Sequence, residues 1–174
     1  MTSYENMLAG GDLKSLGKTN TVLKGIKDQN QFDELFECIF HHDPVIAMRA
    51  ADAIEKITIT NPGFFSKHKK ELMQLCSNVK QKEVQWHLAL LLPRLKLNKN
   101  EFAKAWDFLT KWVKDKTNSR IVRVHSIQGL FELLPQQKTL LQDFQLTLLQ
   151  MEQERIPSID ARIRKIRKQM GSQK

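Results

Sequence analysis

Cysteine is scarce in this sequence, and long apolar runs are absent. With two cysteines in 174 residues, a disulfide framework is excluded as the basis of the fold. Cys38 and Cys76 both fall on apolar helical faces, where a free thiol behaves as a small hydrophobic side chain. The longest apolar run, Leu88 to Pro93, is far shorter than the roughly 18 residues that a membrane-spanning helix needs. We therefore expect no membrane association.

The first residues also lack the features of a secretory signal. They carry Glu5 and Asp12, with neither an apolar core nor a small-residue cleavage site. Together with the reduced cysteines, this predicts a cytoplasmic protein.

Motifs that carry chemistry are missing as well. The sequence has no glycine-rich phosphate loop, no nucleophile elbow and no paired-cysteine zinc motif. His41 and His42 precede Asp43 at a predicted helix junction, but no further ligand stands at metal-binding spacing. We therefore predict a non-enzymatic protein with no metal and no cofactor.

What the sequence does contain is a repeat of about 38 residues. One ladder of apolar residues recurs every 37 positions: Leu35, Leu72, Leu109 and Leu146. A second ladder runs between them: Ile46, Val84, Val122 and Ile159. Two elements per repeat indicate a stacked helical solenoid, in which each unit is too small to bury its own apolar face.

The second helix of each repeat, called the B helix, has a clear inward stripe. Its apolar or small residues follow at steps of four, three and four, which places them on one side of a helix. The four stripes are Ile46, Ala50, Ala53, Ile57; Val84, Leu88, Leu91, Leu95; Val122, Ser126, Gly129, Leu133; and Ile159, Ile163, Ile166, Met170. The first, or A, helices carry the complementary residues, including Leu146 with Leu149 in the last repeat. The small residues indicate close packing of neighbouring helices.

These patterns predict an all-α fold, a right-handed α-α superhelix of about four helical hairpins. The hairpins span about 30–60, 62–97, 98–135 and 137–171, within a repeat domain of residues 30–174. Residues 1–29 form a partly irregular capping segment, interrupted by Gly10, Gly11 and Gly17, in which Leu13, Leu16, Val22, Leu23 and Ile26 are available for short helices.

Several residues mark the predicted ends of helices. Asp43, Ser119 and either Asn98 or Asn100 are predicted N-caps. Pro135 should end the third B helix, and Pro93 should kink the second.

Three segments carry a resemblance to a known family. MRAADAIEKI (48–57), EVQWHLALLLPRLKL (83–97) and RIVRVHSIQGL (120–130) resemble B helices of HEAT repeats, with their arginine, paired alanines and following aliphatic residues. With AGGDLKSLG near the start, almost the whole chain is similar to a group of small bacterial HEAT-repeat proteins of unassigned function. The resemblance implies a solenoid used mainly for macromolecular binding, and it implies no catalytic residues.

The first candidate site is the face of the B helices opposite the A helices, which lines the concave surface of a solenoid; we call it the B face. Its predicted partner-binding residues are Met48, Trp86, Leu90, Arg94, Arg123, Val124 and Phe131. The apolar members form a patch, and the two arginines belong to its charged rim. Two interpretations stay open: a groove for a partner, or a patch covered by residues 1–29 or by a second subunit.

The second candidate is a set of cations. One position in the four B helices is occupied by a basic residue each time: Arg49, His87, His125 and Arg162. These residues form either an anion-binding groove or hydrogen bonds between repeats.

The formal charge of +9 is concentrated in the last 20 residues, which hold seven basic residues and one acidic residue. Arg164, Lys165, Arg167 and Lys168 belong to this last helix, which is either a solvated cap or a surface for phosphates or acidic proteins.

The leading hypothesis is a protein-binding scaffold that uses the B face, of unknown oligomeric state. The alternative is a nucleic-acid-binding solenoid related to the HEAT-like DNA alkylation-repair glycosylases, acting through the basic C-terminal helix. The chain is short for those enzymes, and none of their cleft residues is placed in its sequence.

Overall fold

The computed structural model describes residues 3–12 and 19–172, and the regular structure within them is helical. Ten α-helices follow one another along these residues. They are α1 (Ser3–Leu8), α2 (Thr19–Gly25), α3 (Gln29–Glu37), α4 (Pro44–Thr60), α5 (Lys69–Asn78), α6 (Lys82–Leu91), α7 (Lys99–Lys114), α8 (Arg120–Leu133), α9 (Leu141–Glu152) and α10 (Pro157–Gly171). The predicted all-α class is confirmed.

The last eight helices form four hairpins, in which α3, α5, α7 and α9 are the A helices. The B helices α4, α6, α8 and α10 pack side by side in chain order. At the N-terminal end, α1 and α2 both contact α4. Gly10 and Gly11 separate these two short helices and have positive φ angles of 80° and 76°. Leu13, Leu16 and Gly17, which the sequence assigns to the capping segment, lie outside the described residues.

Side-chain N-caps lie at the helix starts that the sequence predicts. The Asp43 carboxylate accepts a hydrogen bond from the Val45 amide at 2.8 Å, and Pro44 occupies the first position of α4. Asn98 forms a reciprocal capping box with Glu101 at the start of α7, which selects Asn98 over Asn100 as the cap. Ser119 caps α8 through the Val122 amide. Local chemistry therefore sets these boundaries.

Pro93 ends a helix rather than kinking one. The helix α6 stops at Leu91, and a short 3-10 segment, Leu92–Arg94, contains the proline. Proline has no N–H for the carbonyl four residues earlier, and its ring crowds that carbonyl, so the α-helix does not continue through it. The predicted kink is wrong, whereas Pro135 acts as predicted because α8 ends at Leu133.

The B-helix stripes form the core as predicted. All sixteen stripe residues are buried except Met170, which is half-buried. Gly129 is buried at the contact between α8 and α6, and a Cβ atom at this position would overlap the backbone oxygen of Ala89. A residue without a side chain is therefore required where these two helices approach each other.

The A-helix ladder is correct in three repeats and wrong in the fourth. Leu35, Leu72 and Leu109 are completely buried, but Leu146 is 59% exposed. In α9 the equivalent buried position is Phe144, followed by Thr147 and Leu148 at the same spacing that Leu109, Trp112 and Val113 have in α7. The last step of the ladder is thus two residues shorter than the 37-residue period, and Leu146 and Leu149 lie on the exposed side of α9.

Candidate functional site

The B face carries a strip of half-buried apolar side chains from the two middle B helices. Trp86 and Leu90 come from α6, Pro93 comes from the 3-10 segment that follows it, and Val124 and Phe131 come from α8. In each helix these residues lie opposite the stripe that packs against the A helix, as the 3.6-residue period requires. Met48, the predicted contribution from α4, is only 9% exposed and adds little surface.

The indole ring of Trp86 is held in place by two histidine rings. Its centroid lies 3.6 Å from that of His87 and 5.0 Å from that of His125, and both pairs are stacked at 29°. Because His87 is buried and His125 belongs to the neighbouring helix α8, these contacts restrain the rotation of the indole. The strip therefore contains an aromatic side chain that is partly exposed and already ordered.

Glu55 of α4 links the first and second B helices beside this strip. Its carboxylate contacts Nδ1 of His87 at 3.0 Å and Nη2 of Arg94 at 3.3 Å. Burial opposes ionisation of this carboxyl group, but the hydrogen bond from His87 and the charge of Arg94 lower the pKa of Glu55 below its ordinary value. Arg94 also donates to Thr58 Oγ1 at 2.8 Å. It lies at the edge of the B face and is engaged by α4.

Arg123 does not lie on the rim of the B face, contrary to its predicted position. It is 3% exposed, and its side chain points from α8 into the protein. Its Nε donates to the carbonyl oxygen of Val113 at 2.8 Å, and its Nη2 donates to the Glu154 carboxylate at 2.8 Å. That hydrogen bond outweighs burial and lowers the pKa of Glu154. A buried guanidinium needs such partners, so Arg123 ties the last two hairpins together.

The four basic residues that share one B-helix position contact the preceding unit of the solenoid. Arg49 is 1% exposed and donates to the carbonyl oxygens of Leu8, Ala9 and Asp12. His87 contacts Glu55, His125 stacks on Trp86, and Arg162 donates to the Gln128 side chain at 2.9 Å. The buried members, Arg49 and His87, are not accessible to an anion, so the predicted anion-binding groove is not formed at these two positions.

His125 lacks a hydrogen-bond partner for its buried Nδ1 among the residues that the structure describes. Burial, followed by the positive charge of Arg162, lowers the pKa of His125 to about 4. The imidazole is therefore neutral at physiological pH. A neutral ring stacks on Trp86 without introducing a charge into the half-buried strip.

The remaining predicted cations lie on α10 and reach solvent. Arg164, Lys165, Arg167 and Lys168 are all exposed. Arg167 donates to the Glu152 carboxylate of α9 at 2.7 Å, whereas Arg164, Lys165 and Lys168 form no ion pair within residues 3–12 and 19–172. These three side chains give the C-terminal end of the solenoid its positive surface.

Sequence reasoning missed an apolar surface on α9. Leu141, Leu146 and Leu149 are 40%, 59% and 51% exposed, although the ladder assigns the last two to the core. The signal that identifies the correct register is the spacing of Phe144, Thr147 and Leu148. Leu141 and Leu149 line a groove whose lining also includes Phe131 of α8 and Met170 of α10.

Residues 3–12 and 19–172 contain no cluster of three or more histidine, cysteine or acidic side chains that could hold a metal ion. In the same ranges, every helix is too short or too polar to cross a membrane.

Comparisons with known proteins identify a family. A family model described as a HEAT repeat domain matches residues 12–170. Searches of curated proteins and of solved structures gave no significant match. Paired helices, buried B-helix stripes and contacts between consecutive B helices agree with this family model. Since the match extends over most of its 174 residues, the chain belongs to the HEAT repeat domain family.

Proposed function

We propose that this protein is a non-enzymatic scaffold whose B face binds an apolar segment of another protein. The observation that carries the proposal is Trp86, which is partly exposed in the middle of the solenoid and restrained by His87 and His125. Aromatic side chains dominate the energetics of many protein interfaces. An anchor that is already ordered loses little conformational entropy on binding.

The family gives general support to this proposal. HEAT repeats form helical scaffolds that commonly mediate protein interactions. On the B face, Leu90 and Phe131 extend the apolar surface on either side of the helix contact, and Arg94 lies at its edge. Arg123 is not part of the proposed interface because it is buried. A cytoplasmic setting belongs to the same proposal, since Cys76 is a buried free thiol.

The test compares partner capture by the wild type with capture by Trp86→Ala and Leu90→Gln. Both variants should lose a partner that the wild type retains, while their thermal unfolding remains cooperative. Leu146→Gln is the control, because Leu146 is an exposed leucine on an A helix. Capture of the same partners by all four proteins would contradict the proposal. Because the interface is apolar, the complex should change little between low and moderate salt.

Nucleic-acid binding is the second candidate, and the exposed cations of α10 favour it. Arg164, Lys165 and Lys168 have no ion-pair partner within the described residues and face solvent. Binding through such groups must weaken steeply with salt, because each phosphate contact releases counterions. A titration with duplex DNA at two salt concentrations therefore separates the two candidates. Affinity for DNA that falls with salt and is lost on neutralising Lys165 and Lys168 would favour this alternative.

A further inference from the structure

An open groove lies where the C-terminal end of α8 and the segment after it meet α9 and α10. Seven apolar side chains contribute to its lining: Phe131, Leu134, Pro135, Leu141, Leu148, Leu149 and Met170. The groove has a volume of about 1070 Å³, at the upper end of the range for small-molecule pockets, and it opens to solvent along one side. Leu148 is buried at its base, whereas half of the Leu149 side chain is exposed.

The composition of α9 explains why this hairpin is less completely filled. With Phe144 aligned on Leu109, the positions of buried Trp106 and Trp112 in α7 correspond to Leu141 and Thr147. These side chains are much smaller than the indoles they replace. Leu141 lines the groove, so the volume that an indole would fill at this position stays open in an otherwise close-packed structure.

Cations surround this apolar surface. Lys138 and Arg167 line the groove, and Lys165 and Lys168 line an adjoining hollow on the other side of Phe131. Glu132 is the acidic side chain in the lining, and the nearby Glu152 is engaged by Arg167. Within the described residues, Lys138, Lys165 and Lys168 have no ion-pair partner. The surroundings of the groove are therefore positively charged.

We propose that this groove binds an acidic amphipathic helix of a partner protein, with the apolar face of that helix against Leu141, Leu149 and Met170. Helix-in-groove binding uses apolar anchors at helical spacing, and the open apolar lining of this groove offers Leu141, Leu149 and Met170 to such anchors. Acidic residues beside the anchors would meet Lys138, Lys165 and Lys168, which also accelerates association. The site lies at the end of the solenoid and does not require Trp86.

The probes are three fluorescent peptides of 15 residues each, measured by fluorescence anisotropy with the full-length protein. The first has leucines at helical i, i+3, i+4 and i+7 spacing and glutamates on its polar face. The second replaces every glutamate with lysine, and the third keeps the glutamates but scrambles the leucine positions. The proposal requires the first peptide to bind at least about tenfold more tightly than either of the others.

Two kinds of variant test the apolar lining of the groove and the cations around it separately. Leu149→Gln should weaken binding of the first peptide at least about tenfold. Leu146→Gln is the matched control, since Leu146 is exposed on the same helix but does not line the groove. Both replace exposed leucines, and circular dichroism verifies that both fold. The double variant Lys165→Gln with Lys168→Gln should weaken binding and reduce its dependence on salt.

Several outcomes would overturn this proposal. They are equal binding of all three peptides, no binding of the first, and equal effects of Leu149→Gln and Leu146→Gln. Self-association of the wild type that Leu149→Gln abolishes would assign the groove to a second copy of this chain instead. Trp86→Ala should bind the first peptide as the wild type does, so failure of the B-face proposal and failure of this one are distinguishable.

Discussion

Gly129 of α8 packs against the backbone carbonyl oxygen of Ala89 in α6, so closely that a Cβ atom at position 129 would overlap this oxygen. Pro93 stands four residues after Ala89 and has no N–H to donate to that carbonyl. The Ala89 carbonyl oxygen therefore lacks the N–H of residue 93 as a partner, and Gly129 of the next B helix approaches it closely. This contact joins the two middle hairpins, which carry the apolar strip of the B face.

Gly129→Ala should destabilise the protein by about 1–3 kcal/mol, as expected for overpacking. The clash with the Ala89 backbone should outweigh the gain of up to about 1 kcal/mol in helix propensity. Gly63→Ala is the control because a Cβ there meets no atom within 4 Å. Chemical denaturation measures both changes. A Gly129→Ala variant as stable as the wild type would show that the two helices separate readily.

Leu109→Ala and Leu146→Ala should differ strongly, although the two leucines have the same place in the sequence period. Leu109 is completely buried, so its truncation should cost about 2–5 kcal/mol. Leu146 is 59% exposed, so its truncation should change the free energy of unfolding by less than about 0.5 kcal/mol. Equal destabilisation by both substitutions in urea unfolding would instead support the register predicted from the sequence, in which Leu146 is buried.

Arg123→Ala should destabilise the protein by at least about 2 kcal/mol. It leaves the Val113 carbonyl and the Glu154 carboxylate without their donor, and the hydrogen bonds of a buried charge are costly to remove. Arg120→Ala, at an exposed position one turn earlier in α8, should have little effect. Thermal unfolding of the two variants measures the difference. Similar melting temperatures for both would indicate that Arg123 is not a structural residue.

Stability should decrease as the pH falls from about 6.5 to about 4, partly through His125. The pKa of His125 is about 4 in the folded protein, below its ordinary value of 6.5, because the ring is buried and Arg162 is near. Between these values the unfolded chain binds a proton that the folded chain does not, so unfolding is favoured. With allowance for solvent screening, His125 should account for a loss of about 1–2 kcal/mol in the free energy of unfolding.

His125→Phe isolates this contribution because it keeps an aromatic ring beside Trp86 and removes the titrating group. The variant should lose less stability than the wild type between pH 7 and pH 5, as measured by urea unfolding at each pH. The pKa values of Glu55 and Glu154 are lowered in the folded protein, so what these carboxylates contribute to stability is lost only at more acidic pH. Identical profiles of stability against pH for the wild type and the variant would exclude His125 as a source of the pH dependence.

The sequence identified most of the architecture because the relevant signals are local or strictly periodic. Asp43 and Ser119 cap helices through neighbouring amides, and the B-helix stripes follow the 3.6-residue period. The last A helix departed from the prediction because its sequence offers two apolar spacings. Packing favours Phe144 with Leu148 over Leu146 with Leu149, since the first pair is buried and the Phe144 ring stacks on Phe131 of α8.

The candidate site was predictable only in part. The period placed Trp86, Leu90 and Phe131 on the face away from the A helices, and these side chains are partly accessible. It did not distinguish Arg94, at the edge of this face, from Arg123, which is buried against Val113 and Glu154. Burial of an arginine depends on acceptors that lie 10 and 31 residues away along the chain.

By itself, then, the sequence determined the helical class, the four hairpins and the small residues at helix contacts, because periodicity and capping act over a few residues. Tertiary structure alone decided the register of α9, the burial of Arg49 and Arg123, and the groove lined by α8, α9 and α10. Each of these depends on which side chain fills a space bounded by several helices. Such a space is defined only when residues far apart in the sequence are packed together.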